Sequence, residues 1–369
     1  MINRRKFIAA TGFLGFLGIG SPTFAGRNLR NLTGQLLVTG FRGTQPSDPE
    51  VDQLRRYIEQ GVVAGVMLLG RNIVSPEQLH RLNSSLQSAA SELPVIICID
   101  QEGGQVTRLG SYNGFMPWMS AADMAISGRN DKDVLAYYAQ RADELSAVGV
   151  NLNLAPVVDL NVNPFNPVIG SKGRAFGRHV SDVVRFAELF IRAHRTAGVR
   201  TCLKHFPGHG SSFDDSHDGS ADISETWIPE EISPFERLVQ AGLADMMMNA
   251  HVLHKYLSDD PWMPTSLSRR SVDEIRDGLN FTGPIISDDM QMEAITNLFS
   301  PIDASVAAIH AGSSLLIYSN FKGTYSIRSV AKVNERLIRA IKDNELSVDA
   351  VVARAQKAGT FRATLVNRL

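Results

Sequence analysis

The chain has 369 residues, 44% of them hydrophobic and 20% charged, with 38 acidic against 37 basic side chains and a formal net charge of −1. That balance excludes a disordered or fibrous chain and lacks the basic footprint of a nucleic-acid binder, while 2 cysteines exclude a disulfide scaffold or a four-thiolate zinc site. No uninterrupted apolar run reaches the ~20 residues that a membrane-spanning helix needs.

Residues 1–25 read MINRRKFIAATGFLGFLGIGSPTFA. Arg4 and Arg5 precede a modestly apolar, glycine-containing stretch, and Thr23 and Ala25 supply the small residues of a cleavage site. This order predicts a bacterial secretory signal, and the paired arginines point to the twin-arginine export machinery. Its removal takes away three basic residues and no acid, moving the formal charge from −1 to −4. The expected product is periplasmic, with no stable membrane insertion, and comprises residues 26–369 as one domain.

Beyond the leader, short β-rich runs alternate with helical patterns. Strands are predicted at 35–40, 64–69, 95–100, 151–159, 201–205, 246–251, 284–288 and 314–319. Several are continuously apolar, as parallel strands buried on both faces require. Amphipathic helices are predicted at 76–90, 132–146, 181–196 and 302–311. Ser75-Pro76 and Ser300-Pro301 read as helix starts, and Gly198, Gly242 and Gly312 as helix ends. Eight strands alternating with helices and no linker predict a single (β/α)8 TIM barrel. A doubly wound sheet is the structural alternative, but neither a G-x-G-x-x-G nor a P-loop fingerprint occurs in residues 26–369. Cys98 and Cys202 each fall inside a strand and are expected to be buried and inert.

Barrel active sites form at the C-terminal ends of the strands. Those ends carry Asp100 with Arg108 beyond it, Asp159, Lys204-His205, His251 and Asp288. The segment 204–219, KHFPGHGSSFDDSHDG, follows a strand and holds three histidines among acids and glycines. Within it Asp215 stands two residues from His217, a spacing at which a carboxylate can fix an imidazole tautomer and make it a general acid/base. Asp288 and Asp289 invite a paired-carboxylate reading. Strand alternation argues against it, because one of them should line the pocket while the other caps a helix or pairs with a neighbour. His205, His209, His217, His251 and His254 also permit a metal reading, although the H-E-x-x-H pattern is absent.

Six motifs together resemble glycoside hydrolase family 3, specifically its single-domain β-N-acetylglucosaminidases (β-N-acetylhexosaminidases) of the peptidoglycan-recycling type. They are IDQEGGQVTR at 99–108, LAPVVDLN at 154–161, NPVIGSKGRAFG at 166–177, KHFPGHG at 204–210, DSH at 215–217 and SDDM at 287–290. The resemblance implies a retaining, exo-acting glycosidase with a covalent glycosyl-aspartate intermediate and no cofactor or metal. It implies Asp288 as nucleophile, His217 as general acid/base and Asp215 as its orienter. Asp100, Arg108, Arg174, Lys204 and His205 correspond to the positions that hold the sugar. A mobile loop must then bring His217 to the glycosidic oxygen, with Gly208, Gly210 and Gly219 as the expected hinges.

The D-x-H dyad resembles the branch that cleaves N-acetylglucosaminides, so a terminal β-linked N-acetylglucosamine on a peptidoglycan fragment or chitooligosaccharide is the expected substrate. Two departures stand out. Ser314 occupies a position where the family often has Asp, and Ser211-Ser212 replaces an acid-Thr pair; a changed pocket rim or a weakened activity is the expected consequence. The alternatives are a phosphorylase or β-glucosidase of the same family, a substrate-assisted hexosaminidase, a metal hydrolase and a non-catalytic sugar-binding protein.

Overall fold

The computed structural model describes residues 29–366, so the predicted leader at 1–25 lies outside the described residues. Eight parallel strands close into a barrel: β1 (Leu37–Gly40), β2 (Gly65–Leu68), β3 (Ile96–Ile99), β4 (Leu152–Asn153), β5 (Arg200–Phe206), β6 (Met246–Asn249), β7 (Ile285–Asp289) and β8 (Leu315–Tyr318). β1 pairs with both β2 and β8, which closes the sheet, and helices connect successive strands on the outside. The architecture is a (β/α)8 barrel. Among the described residues no helix is long and apolar enough to cross a membrane.

All eight predicted strands are present, and so are the four predicted helices, at Pro76–Gln87, Asp131–Ala147, Val180–Thr196 and Pro301–Ala311. Ser75 Oγ accepts from Gln78 N at 3.2 Å, satisfying one orphan donor of the first turn, and Ser300 Oγ does the same for Ile302 N at 3.3 Å. The fourth strand is much shorter than its apolar run. Pro156 has no N–H to give to a ladder, and regular pairing stops at Asn153 before Val157 bridges to Lys204 of β5.

Strand alternation builds two cores. Outward residues such as Leu37, Val66, Ile97, Leu203, Met247, Ile285 and Leu316 pack beneath the helices. Inward residues form a separate apolar cluster containing Val38, Met67, Ile96, Cys98, Leu152, Cys202, Met246, Met248, Ile286, Leu315 and Ile317. Phe361 and Leu365, at and just past the end of the C-terminal helix Val348–Arg362, belong to that cluster and plug the barrel base. Both cysteines are free and buried, and burial pushes their thiol pKa values up, as expected of inert thiols. Continuing the inward sets by two residues, Ile96–Cys98 leads to Asp100, Cys202 to Lys204 and Ile286 to Asp288. The apolar interior therefore ends at the top in a charged layer.

Candidate active site

That layer opens into a cavity of about 120 Å³ lined by Asp100, Glu102, Arg108, Arg174, Lys204, His205, His217, Asp288 and Asp289, with Met67, Leu154, Met248 and Ile317 below. Two larger hollows, of about 620 and 550 Å³, surround the C-terminal helix at the opposite end and contain none of these groups. The chemistry, not the volume, marks the site.

Its wall is an interlocked set of charges. Lys204 Nζ donates to Asp100 Oδ1 at 2.8 Å and to Glu102 Oε1 at 2.6 Å. Arg174 grips Glu102 in a fork, Nε to Oε2 at 2.7 Å and Nη2 to Oε1 at 2.8 Å. Burial opposes charge on Glu102, but Arg174 and Lys204 outweigh it and hold the carboxyl well below its ordinary range. Arg174 Nη2 also meets His205 Nε2 at 3.1 Å, while His205 Nδ1 meets Asp159 Oδ2 at 2.6 Å. An arginine only donates, so His205 accepts at Nε2 and donates at Nδ1, which fixes its tautomer. Arg108 Nη2 lies 3.8 Å from Asp100 Oδ2. Gln101 places it, because its side-chain oxygen accepts from Arg108 N at 2.8 Å and Leu109 N at 3.0 Å, folding the loop back on β3. The turn needs Gly103: its φ is 103°, and a Cβ there would stand 2.0 Å from Met119 O.

Asp288 and Asp289 separate as alternation requires. Asp288 faces the cavity. Burial raises its carboxyl, but His251, His205 and His217 overcome that, and its pKa is held at about 2. Asp289 turns toward β8, where Oδ1 accepts from Gln291 N and Ser319 N at 3.1 Å each and Oδ2 accepts from the Ser319 hydroxyl. Burial nonetheless pushes it up to about 6. The pair thus combines a cavity-facing carboxylate of lowered pKa with one tied into the fold by its donors.

His217 lies on the loop after β5. Asp215 Oδ1 accepts from its Nδ1 at 2.7 Å and from its main-chain N at 2.9 Å. The His217 side chain is 54% exposed and Asp215 only 18%, so the ring leans outward from a seated carboxylate. Lys172 Nζ approaches the other oxygen of Asp215 at 3.7 Å.

The structure brings Asp100, Arg108, Arg174, Lys204, His205, His217 and Asp288 to one cavity, with Asp215 behind His217. Sequence reasoning passes over Glu102 as a site residue, and it names Asp159 as a charged strand end without giving it a role. Glu102 stood inside a quoted motif, two residues past a strand end, and that position was its signal. Asp159 accepts from His205 N, His205 Nδ1 and His209 N, which makes it an orienting group rather than a ligand-facing one.

Three readings of the sequence can be set against these surroundings. Gly210 and Gly208 mark close approaches, since a Cβ on Gly210 would lie 1.7 Å from Leu160 O and a Cβ on Gly208 2.6 Å from Glu231 Cβ. Of the three, Gly219 alone has open space around it. Ser314 is fully buried at the start of β8, on the base side of the barrel, and Ser211 and Ser212 are also buried, so none forms the rim. The five histidines do not form a metal cradle, since no group of three or more His, Cys, Asp or Glu among the described residues is arranged to hold an ion. His251 is instead tied to Ser266 Oγ at 2.6 Å and to Asp289 O at 3.1 Å, and His254 packs edge-on to Trp227.

The profile of the glycosyl hydrolase family 3 N terminal domain matches residues 28–358. The chain belongs to glycosyl hydrolase family 3. It is 33% identical to the beta-hexosaminidase of Vibrio cholerae over 267 residues, covering 72% of this chain and 78% of that one. It is 29% identical to beta-hexosaminidase A of Pseudoalteromonas piscicida over 339 residues, covering 86% of this chain but 55% of the relative, so it spans about half of that protein. Among solved structures, the family 3 β-N-acetylglucosaminidase of Paenibacillus sp. superposes with a TM-score of 0.82 at 30% identity, over 92% of this chain and 63% of that one. The β-N-acetylhexosaminidase of Beutenbergia cavernae superposes at 0.81 and 26% identity, over 92% of this chain and 99% of that one. Family membership places the chain among glycoside hydrolases.

Proposed function

We propose that the chain is a retaining, exo-acting β-N-acetylglucosaminidase. The observation that carries the reading is the pairing, across one small cavity, of a carboxylate whose pKa is held at about 2 with an imidazole seated on its own carboxylate. Asp288 attacks the anomeric carbon as the protonated His217 gives its proton to the departing oxygen, leaving a glycosyl ester on Asp288. His217, now a base, takes a proton from water, which attacks the same carbon and frees Asp288. Inversion at each step returns the original configuration. Most retaining glycosidases use two carboxyl groups for these roles. Here Asp215 gives the imidazole its orientation and stabilises the cation.

Asp100, Arg108, Arg174, Lys204 and His205 bind the hydroxyls and acetamido group of the sugar. A cavity of about 120 Å³ is too small to enclose several sugar units, which favours attack at a chain terminus. The names of the relatives and the D-x-H dyad favour N-acetylglucosamine. The twin-arginine pattern at 1–25 favours a periplasmic site of action, on peptidoglycan fragments or chitooligosaccharides.

The test is incubation of residues 26–369 with a fluorinated, activated N-acetylglucosamine analogue, followed by peptide mass mapping. A glycosyl adduct on Asp288, absent from Asp288→Asn, is the expected result. Turnover with no adduct on Asp288 overturns the nucleophile. Added phosphate yielding a sugar 1-phosphate makes the enzyme a phosphorylase.

A further inference from the structure

The residue between the two members of the dyad has a partner of its own. Ser216 is buried, and its Oγ lies 2.9 Å from Nε2 of the buried His209. Burial drives the His209 pKa down to about 4, so near neutral pH the ring carries one N–H. Nδ1 has no partner, so placing the proton on Nε2 gives the single N–H an acceptor in Ser216 Oγ. The turn that carries His209 is itself fixed. Its main-chain N donates to Asp159 Oδ1 at 2.9 Å, its carbonyl accepts from Asn166 Nδ2 at 2.7 Å, and the next N–H, of Gly210, donates to Glu231 Oε2 at 3.1 Å. Asp159 is the same carboxylate that orients His205 in the sugar pocket. From the other side, Ser216 O accepts from Ala294 N at 3.3 Å, just past the turn that follows Asp288.

We propose that His209 and Ser216 form a latch that positions the acid/base dyad, seating Asp215 and His217 over the pocket from a fixed point on the barrel rim. The latch rests on the reading of His217 as general acid. Ser216 is the only side chain of the D-S-H triplet that points into the protein core. Asp215 is partly covered and His217 leans into solvent on either side of it. Without the latch, the triplet's bonds to other described residues are the long contact with Lys172, the main-chain bond from Ala294 and the local turn bond from Asp218 N to Asp215 O, none of which fixes a side chain of the triplet in the core, and His217 samples positions from which it cannot reach the leaving oxygen. Asp288 and the sugar-binding wall are untouched. The defect is therefore confined to protonation of the leaving group, and its size depends on how badly that group needs a proton.

The experiment compares kcat/KM for N,N′-diacetylchitobiose, whose sugar alcohol must be protonated to leave, with that for 2,4-dinitrophenyl β-N-acetylglucosaminide, whose phenolate leaves unaided. Wild type, Ser216→Ala, Ser216→Thr and His217→Ala are measured side by side. The expectation for Ser216→Ala is a loss of about tenfold or more on chitobiose against about twofold or less on the dinitrophenyl glycoside, in the direction of His217→Ala but smaller. Ser216→Thr, which keeps the hydroxyl, restores chitobiose turnover. Equal losses on both substrates would reveal a merely structural role and overturn the latch. So would discrimination by His217→Ala without discrimination by Ser216→Ala, which leaves the general acid standing. If His217→Ala itself fails to discriminate, the general-acid assignment falls first and takes the latch with it.

Discussion

Replacing Glu102 with Gln separates charge from shape in the pocket wall. Glu102 accepts from Lys204 Nζ at 2.6 Å and from Arg174 at 2.7 and 2.8 Å, and both cations are buried with it. Gln keeps the volume but removes the charge and turns an NH2 donor toward one of the cations. Removing one partner from a buried ion pair costs about 3–5 kcal/mol, since the remaining charge is left uncompensated. Asp100 still neutralises Lys204, so the lower half of that range applies, about 3 kcal/mol. The loss depends on pH in a defined direction. The folded carboxyl titrates well below its ordinary value of 4.5, so its stabilisation is fully present above pH 4.5 and is lost as the pH falls toward the folded value. Between pH 7 and about pH 3.5 the wild type should forfeit about 1.4 kcal/mol of it. The assay is urea unfolding of both proteins at the two pH values, followed by tryptophan fluorescence. A gap of less than about 1 kcal/mol at pH 7, or a gap that does not narrow on acidification, would refute the argument that ion pairing, rather than packing, fixes this wall.

Other perturbations probe the neighbouring elements. Asp289, pushed up to about 6 by burial, contributes stability that is fully present below its ordinary 3.8 and is lost as the pH rises through about 6. The melting temperature of Asp289→Asn relative to wild type should therefore climb between pH 4 and pH 7, and a constant difference would show that Asp289 is already ionised across that range. Gly210→Ala should lower the melting temperature sharply or prevent folding, because its Cβ would sit 1.7 Å from Leu160 O. Gly219→Ala should leave it unchanged, as nothing lies within 4 Å. Equal melting temperatures for the two variants would contradict the packing of this loop.

The barrel was legible because its cues are local. Apolar runs of strand length, serine-proline starts and glycine ends each act within a few residues, and the structure places the elements where they fall. β4 shows the limit of that reading. Its apolar run extends to Val158, but Pro156 interrupts the donor row, so hydrophobicity alone overestimates the ladder. The glycines of the loop after β5 show a related limit. A glycine in sequence marks either freedom or close approach, and only the neighbouring Leu160 carbonyl and Glu231 side chain show that Gly210 and Gly208 mark close approach.

The site was legible as a set of residues but not as a network, and Asp288 with Asp289 shows why. In a strand exposed on one face, alternating polar and apolar residues reveal which parity points inward. β7 is buried on both faces, so Ile285 and Ile286 are equally apolar and the sequence carries no parity signal. The choice between the two acids falls to β6 and β8, whose register sets Ile286 in the inner cluster and Ile285 in the outer one. Once that is set, Asp288 must join Lys204 and Asp100 above the inner core and Asp289 must find its donors on Ser319. The same dependence on neighbours hid the role of Asp159, which the strand-end pattern names. It ends a strand run as Asp288 does, yet the backbone and ring of His205 and the backbone of His209 take up its oxygens. A carboxylate so surrounded orients other groups, whereas one facing histidines across a cavity is free to react. The distinction lies in partners more than 40 residues away, beyond the reach of local pattern.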